Sequence, residues 1–157
     1  MDYTTIAKSV AIPSAFLLGS YNFVFSQNVV PHLYTAPPSI STPIFAKIFN
    51  IGGSTIAPVA ASTILAYSYL SYNSTSTKRN LYATSAALTL STLVLTLTYM
   101  KPGINRLIEI SKDTQLLNKA GINQEVNSLF KAWVSANYFR ASLHLTAGVL
   151  GFYALLS

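Results

Sequence analysis

Trp133, Asn137, Arg140 and His144 bring polar chemistry to an otherwise greasy stretch near the C-terminal end. Their steps of 4, 3 and 4 hold them within an arc of roughly 60° on a helix of 3.6 residues per turn. Between and beyond them lie Val134, Ala136, Tyr138, Phe139, Ala141, Leu143, Leu145, Ala147, Val149 and Leu150. A charge and an imidazole inside a bilayer are costly, so they face a bundle interior or a cavity and commonly mark function. A neutral imidazole at His144 suits a general base, a proton shuttle or a metal or haem ligand. Arg140 could steady an anion, snorkel, or pair with a carboxylate. Asn137 suits a bond between helices as well as a site role. Trp133 suits an interfacial aromatic belt as well as ring stacking.

His32 is the other of the two histidines. It follows Pro31 at the end of the first apolar stretch, on the same side of the membrane as Trp133. The pair His32 and His144 allows a bis-histidine haem as an alternative. A two-histidine, one-carboxylate iron site would need Glu109, Asp113 or Glu125. Asn105 and Arg106 follow Pro102-Gly103 at that same end, and Asn22 shares a face with Ser26 in the first stretch. The four carboxylates all lie outside the apolar stretches, which argues against transport through an intramembrane acid. The chain holds no glycine-rich phosphate loop, no G-x-S-x-G elbow and no H-E-x-x-H. With no cysteine it makes no disulfide, thiolate metal site, iron–sulfur cluster or cysteine nucleophile.

The elements that must hold these residues follow from hydropathy. The 157 residues suit one domain and are 51% hydrophobic and 9% charged, against roughly 25% charged in soluble domains. Windows Ser9–Ala46, Ile48–Thr77 and Asn80–Met100 carry no charge, and Ala132–Ser157 carries only Arg140. A span needs about 20 mostly apolar residues. The pattern predicts spans at about 10–30, 51–72, 80–99 and 132–156. Pro31–Thr42, rich in breakers, reads as a loop, and Ile44–Asn50 as a short interfacial piece. Pro102-Gly103 reads as a turn. Segment 101–131 faces water, with apolar residues at helical spacing and a break near Gly121, so it reads as two short amphipathic helices. The expected fold is an all-α, integral membrane four-helix bundle with short amphipathic helices between spans three and four.

The net charge of +6 comes from scattered Lys and Arg. That suits anionic headgroups and not a nucleic-acid surface. The N-terminal stretch continues too long for a cleaved signal peptide and reads as a retained span. Lys and Arg bias favours loops one and three in the cytoplasm. The sequon Asn73-Ser74-Thr75 is expected to go unused in so short a turn.

The chain resembles the fungal anthrone oxygenases, small four-span membrane proteins of aromatic polyketide pathways, within a wider group once classed as a domain of unknown function. Gly19-Ser20 through Ser26 to Pro31 looks like the family's opening. Phe45 to Gly53 followed by Pro58 resembles its second block. Pro102-Gly103-Ile104-Asn105-Arg106-Leu107 resembles its element after span three. Trp133 to Ala141 looks like its W-x3-N-x2-R element. The resemblance implies oxidation of an anthrone to an anthraquinone by molecular oxygen, with no cofactor strictly required. In that reading His144 or His32 is the base, and Arg140 and Asn137 stabilise the enolate oxygen. Trp133, Tyr138 and Tyr21 stack on the rings, with Asn105, Arg106 and Asn22 as further substrate contacts. It also implies an internal membrane such as the endoplasmic reticulum. The alternatives are a haem-binding redox protein and a non-catalytic membrane scaffold whose stripe packs without leaving a cavity.

Overall fold

The computed structural model describes residues 2–157. Every regular element among them is helical: α1 (Tyr3–Val24), α2 (Pro38–Tyr72), α3 (Ser76–Leu95), α4 (Lys101–Ile110), α5 (Thr114–Leu117) and α6 (Ile122–Leu156). A π-helical turn (Phe25–Val29) and a 3-10 turn (Val30–Thr35) prolong α1. A second π turn (Thr96–Met100) joins α3 to α4. Four continuous helical stretches, Tyr3–Thr35, Pro38–Tyr72, Ser76–Ile110 and Ile122–Leu156, are long and apolar enough to cross a membrane. The chain thus fits a multi-pass integral membrane protein.

The helices overrun the expected spans at the loop-one and loop-three end. The supposed loop Pro31–Thr42 is mostly helix, because α2 already starts at Pro38. Proline at the first helical position lacks an N–H that would be unsatisfied anyway, so Pro37-Pro38 starts the helix instead of delaying it. Ile44–Asn50 belongs to this same helix, and Pro43 and Pro58 lie within it. Pro102-Gly103 makes no turn either. Pro102 lies within the continuous stretch Ser76–Ile110, directly after the π turn Thr96–Met100, where the ladder of backbone bonds is already shifted. Of the two amphipathic helices expected over 101–131, α4 is the first. The second is the opening of α6, continuous with span four. Between them Asp113 caps the single turn α5, accepting from the backbone N–H of Gln115 and Leu116 at 2.8 and 3.3 Å. The break expected near Gly121 is there, with Gly121 in left-handed backbone at φ +80°.

The long helices form a ring. α1 packs on α2 and α6, α3 packs on the same two, and α2 and α6 face each other across the axis with little contact. Small residues let the backbones close up elsewhere in the ring. A Cβ on Gly19 would lie 2.7 Å from Leu145, and one on Gly151 would lie 2.5 Å from the Tyr67 hydroxyl. Two apolar clusters fill the ends. One gathers Phe45, Met100, Ile104, Leu107, Ile110, Ile122, Val126 and Phe130 with the 3-10 turn. The other gathers Ala11, Ala15, Tyr67, Leu70, Tyr82, Ala147 and Ala154. The second is pinned by Tyr67 and Ser85, whose hydroxyls both donate to the Ala147 carbonyl at 3.1 and 3.0 Å. Large apolar side chains such as Leu17, Phe23, Leu65, Leu97 and Phe139 point outward, as a lipid-facing surface requires.

Candidate functional site

Between the two clusters α2 and α6 leave a partly open cavity of about 140 Å³. From α6 it is lined by Trp133, Asn137, Arg140 and His144. α2 contributes Ile48, Phe49, Gly52, Gly53, Ile56, Ala57 and Ala60. Tyr21, Asn22 and Phe25 come from the α1 arm, and Thr92, Leu93 and Thr96 from the α3 arm. The space follows from residue size. The polar stripe of α6 looks across the axis at a face of α2 where Gly52, Gly53, Ala57 and Ala60 supply almost no side chain. Phe45, fully buried, meets the cavity-lining Trp133 edge-on, with ring centroids 5.4 Å apart.

Asn137 organises the polar wall. Its amide nitrogen donates to the Asn22 carbonyl at 2.8 Å and to Ser26 Oγ at 2.9 Å. Its amide oxygen accepts from Arg140 at 3.2 Å. The Asn22 carbonyl also accepts from Ser26 Oγ, just where α1 widens into its π turn. Such turns are frequent at functional sites. Arg140 has its other contact with Met100 Sδ at 4.0 Å. Both ion pairs among the described residues belong to Arg106, so the half-buried Arg140 pairs with no carboxylate there.

Among the described residues six buried side-chain polar atoms lack a hydrogen-bond partner, and four belong to residues lining this cavity: Asn22 Nδ2, Trp133 Nε1, Arg140 Nε and His144 Nδ1. Leaving such a group unpaired costs about 1–3 kcal/mol, and native structures tolerate it where a ligand or function explains it. Three of the four are obligatory donors. His144, at 1% exposure, is the exception and can accept. On the facing wall, Thr92 and Thr96 give their hydroxyl protons to the carbonyls of Thr89 and Thr92, both at 2.7 Å. Their oxygens therefore offer acceptor capacity only. The cavity has a cationic, donor-rich wall, an imidazole, an acceptor wall and apolar rings.

Of the residues the sequence singled out, Trp133, Asn137, Arg140, His144 and Asn22 come together here, as does Tyr21. Four others do not. His32 is exposed on the 3-10 turn and does not line the cavity, so the two histidines do not face one group. Tyr138 points outward and packs edge-on against Phe23. Asn105 is exposed on α4. Arg106 bonds Glu125 at 2.7 Å and Glu109 at 2.9 Å, tying α4 to the start of α6. No cluster of three His, Asp or Glu capable of holding a metal occurs among the described residues. Thr92 and Thr96 were missed, although Ser85, Thr89, Thr92 and Thr96 repeat the 4-3-4 spacing of the α6 stripe. The α2 face was missed because a small, apolar stripe reads like any span.

No curated protein and no solved structure matches the chain. The family model described as anthrone oxygenase matches residues 45–150, which take in the α2 face, the threonine wall and the whole α6 stripe. The match covers well over half of the chain and supports an oxygenase-type function in general terms: the protein belongs to the anthrone oxygenase family.

Proposed function

We propose that the protein oxidises an anthrone-like aromatic polyketide to its quinone with molecular oxygen. The observation that carries this reading is the set of unpartnered polar groups around one cavity: an imidazole and three donors, one of them on a cation with no counter-ion. An anthrone carries an acidic methylene between two aryl rings, conjugated to a carbonyl across the middle ring. A base that removes one methylene proton sends the charge to that carbonyl oxygen. Arg140, with the indole N–H of Trp133 and the amide of Asn22, suits the resulting enolate. His144 suits the base, since His32 lies elsewhere.

The electron-rich anion passes an electron to O2, and recombination of the radical pair forms a carbon–oxygen bond and, after protonation, a hydroperoxide. Loss of the second methylene proton breaks the O–O bond. One oxygen stays as the new quinone carbonyl and the other leaves as water. Substrate and O2 thus supply all the electrons and atoms, in the pattern of a monooxygenase, and no cofactor is written into the step. Trp133, Phe49 and Tyr21 offer ring faces to a flat substrate. A cavity of roughly 150 Å³ holds a benzene ring, and this one is partly open, so a fused system extends through its mouth. A scaffold role for the stripe would leave no such space. The reading places the reaction in an internal membrane, with endoplasmic reticulum the leading site.

The test is anthrone-dependent oxygen uptake by the purified protein in nanodiscs, with quinone formation followed by absorbance. His144→Ala is expected to lose turnover by about 100-fold or more, the usual contribution of a positioned base. Full turnover in His144→Ala would sink the assignment.

A further inference from the structure

Gly53 and Ala57 line the cavity and are also exposed on the outer surface of α2. A Cβ built on Gly53 would point into open space, with nothing beyond its own helix backbone and chain neighbours within 4 Å. Counting outward from the Asn73–Thr75 turn, antiparallel pairing sets Gly53 and Ala57 level with Leu95 and Ser91. The contact of Tyr67 with Tyr82 confirms that register nearer the turn. The cavity-lining residues Leu93 and Thr96, both half-buried, sit at this level, and the π turn of this arm begins at Thr96. α2 and α3 pack on each other along their length, but at this level α2 brings almost no side chain to the seam, which leaves a gap in the side of the partly open cavity. Its α3 flank is apolar and exposed, with Leu90, Val94 and Leu97. Gly53 lies six residues, about 9 Å of helix rise, inward from Lys47, and Thr96 lies a similar distance from Lys101. Lysines at that level reach the headgroups.

We propose that this gap is a lateral portal through which a flat, oxygen-bearing aromatic enters the cavity from the bilayer just beneath the headgroups. The second observation, independent of the small residues, is the buried His144 and Asn22 beyond the gap, each with an unpartnered polar atom. They require a polar visitor, where an acyl chain would leave both unpaired. An aromatic with polar edges partitions to the interfacial depth at which the portal opens. Gly53 is then the residue that sets how thick a ligand can pass. The inference rests on the cavity being the substrate site, as proposed above, but not on the oxidation itself.

The chain has no cysteine and one tryptophan, Trp133, so both a unique thiol and a unique fluorophore are available. Gly53→Cys and Leu65→Cys would be made separately in the full chain and placed in phosphatidylcholine nanodiscs. Leu65 is on the same helix and 71% exposed, away from the cavity. A lipid-soluble maleimide labels each thiol, with and without a hydroxylated anthraquinone dissolved in the bilayer. The portal predicts that the quinone quenches Trp133 and slows labelling at position 53 severalfold, while position 65 labels at an unchanged rate. Quenching of Trp133 with no protection at position 53 would overturn the portal and leave the proposed function standing. Protection without anthrone turnover would keep the portal and remove the oxidation. No quenching would remove both.

Discussion

Asn137 belongs both to the packing of the helices and to the wall of the cavity. It ties α6 to the α1 arm through two donated bonds and steadies Arg140 through its oxygen. Hydrogen bonds between membrane helices average about 0.6 kcal/mol, so Asn137→Leu is expected to cost about 1–2 kcal/mol and to lower the thermal midpoint in detergent. It should also impair turnover more than that loss explains, because Arg140 loses its anchor. Arg106 is the opposite case: its charge is spent on Glu125 and Glu109 at the surface. Arg106→Gln is expected to leave anthrone turnover unchanged within error and to shift the midpoint only slightly, an effect that added salt would mask. Both variants are read by the same oxygen-uptake and melting assays. The contrast also explains what the sequence revealed. Unlike residues repeating at 4-3-4 on an apolar background could share a face only as a stripe, so Trp133, Asn137, Arg140 and His144 were legible. Tyr138 was not, because one residue along a helix is 100° around it. Arg106 was not, because the carboxylate that claims it from α6 is distant in sequence.

Among the elements, the glycines separate into those that permit a contact and those that do not. Gly151 lies where a Cβ would meet the Tyr67 hydroxyl at 2.5 Å. Gly151→Ala is expected to break the α2–α6 contact at the Ala147 carbonyl and to cost about 1–3 kcal/mol, as overpacking does. Gly103 sits inside α4 with only Leu129 near, at 3.6 Å. There Gly103→Ala is expected to stabilise by roughly 0.5–1 kcal/mol through backbone entropy. Thermal unfolding of the two variants gives opposite signs if the packing is as described. The four spans were legible from hydropathy, but their ends were not. Proline is written alike in a loop and at the first turn of a helix, and only tertiary packing of the Phe45 and Ile104 faces decides in favour of helix. The π turns have no composition of their own, so nothing in Phe25–Val29 or Thr96–Met100 announced them.

At the scale of the molecule, three of the crossing stretches are 35 residues long, about 52 Å of rise, while the hydrocarbon of a bilayer is about 30 Å thick. Arg79 and Lys101 on the third stretch are about 33 Å apart along the helix, so they bracket the hydrocarbon. The first turns of α2 and α6, with α4 and α5, then stand in water as a collar. The cluster of Ile104, Leu107, Ile110, Ile122, Val126 and Phe130 belongs to that collar, and the Tyr67 cluster belongs to the lipid-embedded part. The two ends are therefore held by different forces. Water drives the collar together, whereas inside lipid close packing and hydrogen bonds must suffice. Denaturant acts on the first and scarcely reaches the second. Moderate urea should loosen Phe45 from Trp133 and red-shift its emission in nanodiscs while helical circular dichroism persists. The chamber has one wall answerable to the solvent and another to the lipid, so the solutes of the adjoining water and the membrane's composition act on the same cavity by separate routes.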